Sequence, residues 1–233
     1  MNSNKKTARI AGLIYLIIVL TGIFNLMYVP SKLIVWDDAS ATINNIMASE
    51  SLFRLGIVTG LISYTCFIIL PLVLYKLFKP VNKSYALLMV VLAVVSVPIA
   101  YNIMLYKVDI LSLLSDAEYM KVFGAEQLNA QVMLLLKSYN NGIGIVQIFW
   151  GLWLFPFGYL VFKSGFLPKF LGILLMIGCF GYLLKFFGHS LFPDFEIPFY
   201  VTLPGSIGEI GTCLWLLIMG AKENGYKTAN NTV

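Results

Sequence analysis

Apolar residues in this chain come in long, nearly unbroken runs, and the polar residues collect in short clusters between them. Six runs stand out, at about 10–29, 55–78, 85–106, 142–162, 170–188 and 199–219. A helix that crosses a bilayer needs about 20 consecutive apolar residues, and each run is of that order. They are too long and too continuously apolar for barrel strands. In hydrocarbon every backbone polar group has to be satisfied internally, which leaves the helix. The pattern predicts an all-α, polytopic transmembrane bundle of six spans, forming a single membrane domain over residues 1–233.

The links set neighbours. Segments 77–83 and 163–169 are long enough only for tight turns, so spans two and three, and spans four and five, are expected as antiparallel pairs. Residues 31–51 form a polar stretch with Asp37, Asp38 and Glu50. Residues 107–141 are the longest non-spanning part, expected as a partly helical extracytoplasmic loop. It carries Asp116 and Glu118 early and an apolar piece at 128–136. The first run follows Lys5, Lys6 and Arg9, as a signal peptide would. It ends in Tyr28-Val29-Pro30 with no small-residue cleavage site, so a retained helix is expected. Pro71, Pro98 and Pro156 fall inside spans and predict kinks.

Composition agrees with this reading. The chain is 59% hydrophobic and 12% charged, with a mean hydropathy of +0.85; soluble domains have about 25% charged residues. The lipid bilayer is therefore the first partner. The net charge of +5 forms no basic stripe, and nucleic acid is not an expected partner. Cys66, Cys179 and Cys213 all lie inside apolar runs and read as small hydrophobes, with no disulfide framework.

Charge orients the bundle. With six spans, one side collects Lys5, Lys6, Arg9, Lys76, Lys79, Lys83, Lys163, Lys169, Lys222 and Lys227 against a single acid, Glu223. The other side carries six basic residues and nine acids. Lysine and arginine near span ends favour the cytoplasmic face, so both termini are expected in the cytoplasm of a cell-membrane protein.

One residue breaks the last apolar run. Glu209 lies about ten residues, or roughly 15 Å, from the outer start of its helix, and an ionisable group at that depth marks a functional site by default. Arg54, Asn102, Tyr106, Lys107, Asn140, Asn141, Lys185 and His189 lie toward the outer ends of other spans. Arg54 and Lys185 are the candidate cationic partners, and Lys185 and His189 share a helix face at four-residue spacing. The expected ligand- or proton-binding set is Glu209, His189, Lys185, Arg54, Asn102 and Asn141, lining an outward-facing polar cavity with Glu209 at its floor. Three roles stay open for Glu209: a structural hydrogen-bond anchor, a group that binds a polar small molecule or a proton in transport or sensing, or an acid–base group in an intramembrane enzyme acting on a lipid. A structural or interaction protein predicts a solid bundle with Glu209 paired.

No metal or cofactor is expected. His189, Asp194, Glu196 and Glu209 match no metal-ligand spacing, and H-E-x-x-H, G-x-G-x-x-G, C-x-x-C and the Walker motif are absent. Gly56 and Gly60 form a G-x-x-x-G pair, read as packing within one bundle; a homo-oligomer has no further support. The strings Leu55-Gly56-Ile57 and Leu171-Gly172-Ile173 are too short to establish an inverted repeat.

Several strings carry a family resemblance. They are Ala8-Arg9-Ile10-Ala11-Gly12-Leu13-Ile14-Tyr15-Leu16 with Gly22-Ile23-Phe24, then Gly158-Tyr159-Leu160-Val161-Phe162-Lys163-Ser164-Gly165-Phe166-Leu167-Pro168, then Leu171-Gly172-Ile173-Leu174-Leu175, and finally Pro204-Gly205-Ser206-Ile207-Gly208-Glu209 with Leu214-Trp215-Leu216-Leu217. In these the chain resembles a bacterial six-span membrane family known as a domain of unknown function, numbered in the four-thousand-three-hundreds. The resemblance covers nearly the whole chain and implies a cytoplasmic-membrane protein with no established activity. Arg9 and Glu209 are the charged positions that fit the family pattern. Relatives often carry a histidine just before the fourth span, where this chain has Lys137-Ser138-Tyr139-Asn140-Asn141, which argues against a shared metal or proton chemistry at that point.

Overall fold

The computed structural model describes residues 3–115, 118, 122–192 and 197–221. Asp116, Asp194, Glu196, Lys222, Glu223 and Lys227 lie outside the described residues. Among the described residues there is no strand. The helices are α1 (Ser3–Ile23), α2 (Val29–Leu33), α3 (Ala39–Ala48), α4 (Glu50–Phe78), α5 (Lys83–Leu113), α6 (Ala125–Lys163), α7 (Lys169–Leu191) and α8 (Leu203–Ile218). A π-helical turn, Phe24–Tyr28, joins α1 to α2, and a 3-10 turn, Phe199–Val201, precedes α8.

Among the described residues, five stretches are long and apolar enough to cross a membrane: Asn4–Leu33, Glu50–Phe78, Lys83–Leu113, Ala125–Lys163 and Lys169–Leu191. The protein is a multi-pass, all-α membrane protein. The sixth apolar helix, α8, has 16 residues, roughly 24 Å at 1.5 Å per residue.

The helices at the first five predicted spans overrun them, whereas α8 falls short of 199–219. The third continues past Tyr106 to Leu113, and the fourth begins at Ala125 and runs for 39 residues. Most of the supposed loop 107–141 is therefore helix, because the apolar positions at 128–136 stay in phase with the span that follows. The polar stretch 31–51 likewise holds α3. Asp38 caps it, its Oδ1 accepting from Ala41 N–H at 2.8 Å. Pro71, Pro98 and Pro156 lie inside α4, α5 and α6, which continue through them.

The chain groups into two compact units. The first comprises residues 1–17, 65–97 and 144–233. Its core is aromatic: Trp153 stacks on Phe157 at 5.0 Å and takes the edge of Phe67 at 5.1 Å, while Phe78 bridges Phe157 and Phe166. Helices α7 and α8 pack antiparallel, with Gly178 against Gly205, Leu175 against Gly208 and Gly181 against the Val201 carbonyl. The small residues let these backbones touch.

The second unit comprises residues 18–64 and 98–143. Its core includes Val29, Leu33, Ile46, Phe53, Ile110, Val132 and Leu136. Thr42 anchors α3 to the chain before it, accepting from Val35 N–H at 2.8 Å and donating to Val35 O at 2.9 Å.

Candidate functional site

Helix α8 begins with Pro204 in its first turn, where a missing N–H costs nothing. Glu209 follows in the second turn, half-buried. Each of its carboxylate oxygens accepts one hydrogen bond: Tyr15 Oη donates to Oε1 at 3.0 Å, and Tyr182 Oη donates to Oε2 at 3.3 Å. All three residues belong to the first unit.

Helix α1 supplies Tyr15 on the face that meets α8. Arg9, Gly12 and Tyr15 recur at three-residue steps along it, so they share a side. Arg9 Nη2 donates to Ile218 O at 3.1 Å, Gly12 lies on the backbone at Leu217, and Cys213 Sγ contacts Gly12 O at 3.6 Å. Residue numbers fall on α8 as they rise on α1, so the two helices run antiparallel. Gly220, at φ +68°, ends α8 with its N–H on Trp215 O at 3.1 Å. Tyr15 is 2% exposed, and its ring lies edge-on to Trp153 at 6.3 Å and tilted to Phe157 at 6.4 Å. The packed ring fixes where its hydroxyl points. Tyr182, on α7, is less enclosed.

Chemically this is a carboxyl group held by two neutral donors. A carboxylate accepts only, whereas a carboxylic acid also donates, and phenol hydroxyls rotate to suit either. The arrangement therefore accommodates both protonation states without moving a helix. Among the described residues, no three His, Cys, Asp or Glu side chains gather as metal ligands.

Lys185 and His189, on α7 in the same unit, are exposed, and the carboxylate's hydrogen-bond partners are the two phenols. Arg54, Asn102 and Asn141 belong to the second unit and are exposed. Arg54 Nε pairs with Glu50 Oε1, one turn earlier on α4, at 2.6 Å. An open pocket of about 490 Å³ in the second unit is lined by Asp109, Ser112, Leu113, Gln131, Leu134 and Leu135, none of them an expected site residue.

Sequence reasoning passed over Tyr15 and Tyr182, because tyrosines abound in apolar runs and nothing local marks which ones face a carboxylate. It also passed over Asn25. In the second unit Asn25 is 1% exposed, and Lys107 Nζ donates to its Oδ1 at 2.8 Å. A lone amide in the first apolar run was the available signal.

Residues 10–220 match the model of a protein family described as "Domain of unknown function (DUF4386)". An "Uncharacterized protein" of the archaeon Archaeoglobus fulgidus is 31% identical over 153 residues, which cover 64% of this chain and 74% of that protein. Similarity to this chain thus extends into the archaea. No solved structure matches the chain.

Proposed function

We propose, from the premise that the chain belongs to the DUF4386 family, that it is a small transporter-like or ligand-sensing protein of the cell membrane. Glu209 is its proton- or ligand-binding group. In this reading α8, with the turn before it, is the sixth span, and both chain ends lie in the cytoplasm. The supporting observation is the pairing of the Glu209 carboxyl with two phenols, Tyr15 and Tyr182. A permanently charged structural carboxylate is best matched by a guanidinium or ammonium. Two rotatable hydroxyls suit a group that gains and loses a proton, or exchanges a phenol for a polar ligand. Ionisable groups inside membrane segments mark such pathways.

A structural reading has one observation in its favour. Tyr15–Glu209 and Arg9–Ile218 both tie α1 to α8, as an anchor would.

The test uses wild type and Glu209→Gln in nanodiscs and proteoliposomes. Infrared spectra over a pH series should show a protonated-carboxyl band that rises and falls in wild type and is missing from the variant. A panel of polar solutes should drive proton movement, or shift thermal stability, in wild type alone. Equal yield with lost response supports the reading. Collapse of the folded yield assigns Glu209 to the anchor role, and an unchanged response removes Glu209 from the site.

A further inference from the structure

The second unit carries a buried cation that the Glu209 reading does not use. Lys107, on α5, is 2% exposed. Its Nζ donates to Asn25 Oδ1 at 2.8 Å and sits 4.2 Å from the centroid of the Tyr139 ring. Asn25 Nδ2 in turn donates to Tyr139 Oη at 3.3 Å, and the Tyr64 hydroxyl adjoins that of Tyr139. Four helical segments thus meet here: the π-helical turn provides Asn25, α4 Tyr64, α5 Lys107 and α6 Tyr139. Of the titratable groups on the packed helices, Tyr139 meets Lys107 through its ring, and Tyr64 joins the cluster through Tyr139 and Asn25. Among the described residues no carboxylate pairs with it.

A buried ammonium without an anion is expensive, and a purely structural role would be served as well by an apolar residue of similar volume. What distinguishes this cluster is that its hydrogen bonds can all reverse. With an ammonium, Asn25 accepts from Lys107 through Oδ1 and donates to Tyr139 through Nδ2. With a neutral amine, a rotated amide donates through Nδ2 to the Nζ lone pair. Its Oδ1 then accepts from the Tyr139 hydroxyl, whose oxygen remains open to Tyr64. The two ends of an amide have nearly the same size and a hydroxyl can donate or accept, so every bond keeps a partner in both states. Local room for the rotation comes from Gly60. A Cβ there would lie 2.8 Å from Asn25 Nδ2 and 2.5 Å from Met104 Cε. Asn25 itself sits in the π-helical turn, a backbone form that recurs at functional sites.

We propose that Lys107 is a second proton-binding site of this protein, with Asn25 as the reversible hydrogen-bond partner that holds both its ammonium and its amine form. The step is a simple transfer: the ammonium releases one proton to water or a titratable carrier and keeps the electron pair, and the amide turns over. Nothing in it depends on Glu209.

The test is nitrogen NMR of protein labelled at lysine Nζ, in nanodiscs, across the pH range in which it stays folded. Lys107→Met identifies the resonance by its disappearance. In wild type the Lys107 signal should alternate between the ammonium and the amine positions. Asn25→Asp keeps the shape but supplies an acceptor that cannot donate, so it should abolish the amine position across the same range. Gly60→Ala crowds the amide and should broaden or suppress the exchange. A wild-type signal that stays at the ammonium position throughout overturns the proposal, making Lys107 a fixed structural cation. A signal that exchanges identically in wild type and Asn25→Asp overturns the reversal mechanism. Should Asn25→Asp fail to fold, the wild-type titration and Gly60→Ala decide between the same outcomes.

Discussion

Gly12 of α1 lies directly on the backbone of Leu217 in α8, where a Cβ would collide with the Leu217 nitrogen. That contact brings the two helices close enough for Tyr15, one turn on, to reach Glu209. Gly12→Ala should therefore separate α1 from α8 and stretch the Tyr15–Glu209 hydrogen bond. Overpacking of this kind costs about 1–3 kcal/mol. The comparison is Gly22→Ala, where the nearest outside atom to a Cβ is Ser63 Oγ at 3.9 Å. Thermal unfolding in one detergent should show a clear drop for the first variant and little change for the second. Equal behaviour would mean that the α1–α8 contact contributes nothing.

The two phenols on Glu209 are not equivalent. Tyr15 is buried and 3.0 Å from the carboxylate, whereas Tyr182 is half-buried and 3.3 Å away. A hydrogen bond to a charged group contributes about 1.5–3 kcal/mol, and the shorter, packed one should lie higher in that range. Tyr15→Phe is expected to lower the unfolding temperature more than Tyr182→Phe. The reverse order, measured under the same conditions, would place the main anchor of Glu209 on α7.

Arg54 offers a contrast in the second unit. Its ion pair with Glu50 is short, at 2.6 Å, but both side chains are more than half exposed. Such pairs contribute about 0–1 kcal/mol. Arg54→Ala should leave both stability and the solute response of the protein near wild type. A lost response would place Arg54 in the ligand-binding set.

The long apolar runs made the helices legible, since a run of that length in hydrocarbon has one backbone solution. Their ends were less so. The third apolar run ends at Tyr106, before Lys107, yet α5 runs on to Leu113. A lysine inside a helix does not end it when Asn25 and Tyr139 meet its ammonium. Glu209 was legible as a charge in an apolar run, but its partners were not. The expectation of Arg54 or Lys185 rested on charge complementarity, whereas Tyr15 and Tyr182 come from helix packing that no local pattern encodes. The one-sided lysines remain a sequence-level argument for orientation.

The one-sided lysines place both chain ends on the cytoplasmic face. In a background lacking Cys66, Cys179 and Cys213, single cysteines at Ser3 and near Val233 should both resist membrane-impermeant thiol reagents in intact cells and react once the membrane is opened. Labelling of one end alone in intact cells would leave an odd number of spans and exclude α8, or another helix, from crossing.

The Asn25–Lys107 pair gives an energetic signature separate from any titration. Removing the acceptor alone, as in Asn25→Leu, leaves a buried ammonium short of a partner, which costs about 3–5 kcal/mol for a broken buried charge interaction. Lys107→Met removes the charge and keeps much of the volume, so it should be neutral or stabilising. In the double variant the Asn25→Leu penalty should largely vanish, because the ammonium that needed the amide is gone. A double-mutant cycle in one detergent measures this directly, and residues in contact typically couple by about 0.5–3 kcal/mol. Strict additivity would show that Asn25 is needed for the helix backbone rather than for Lys107. A destabilising Lys107→Met would show instead that the ammonium contributes to stability through Tyr139, whose ring lies 4.2 Å from Nζ.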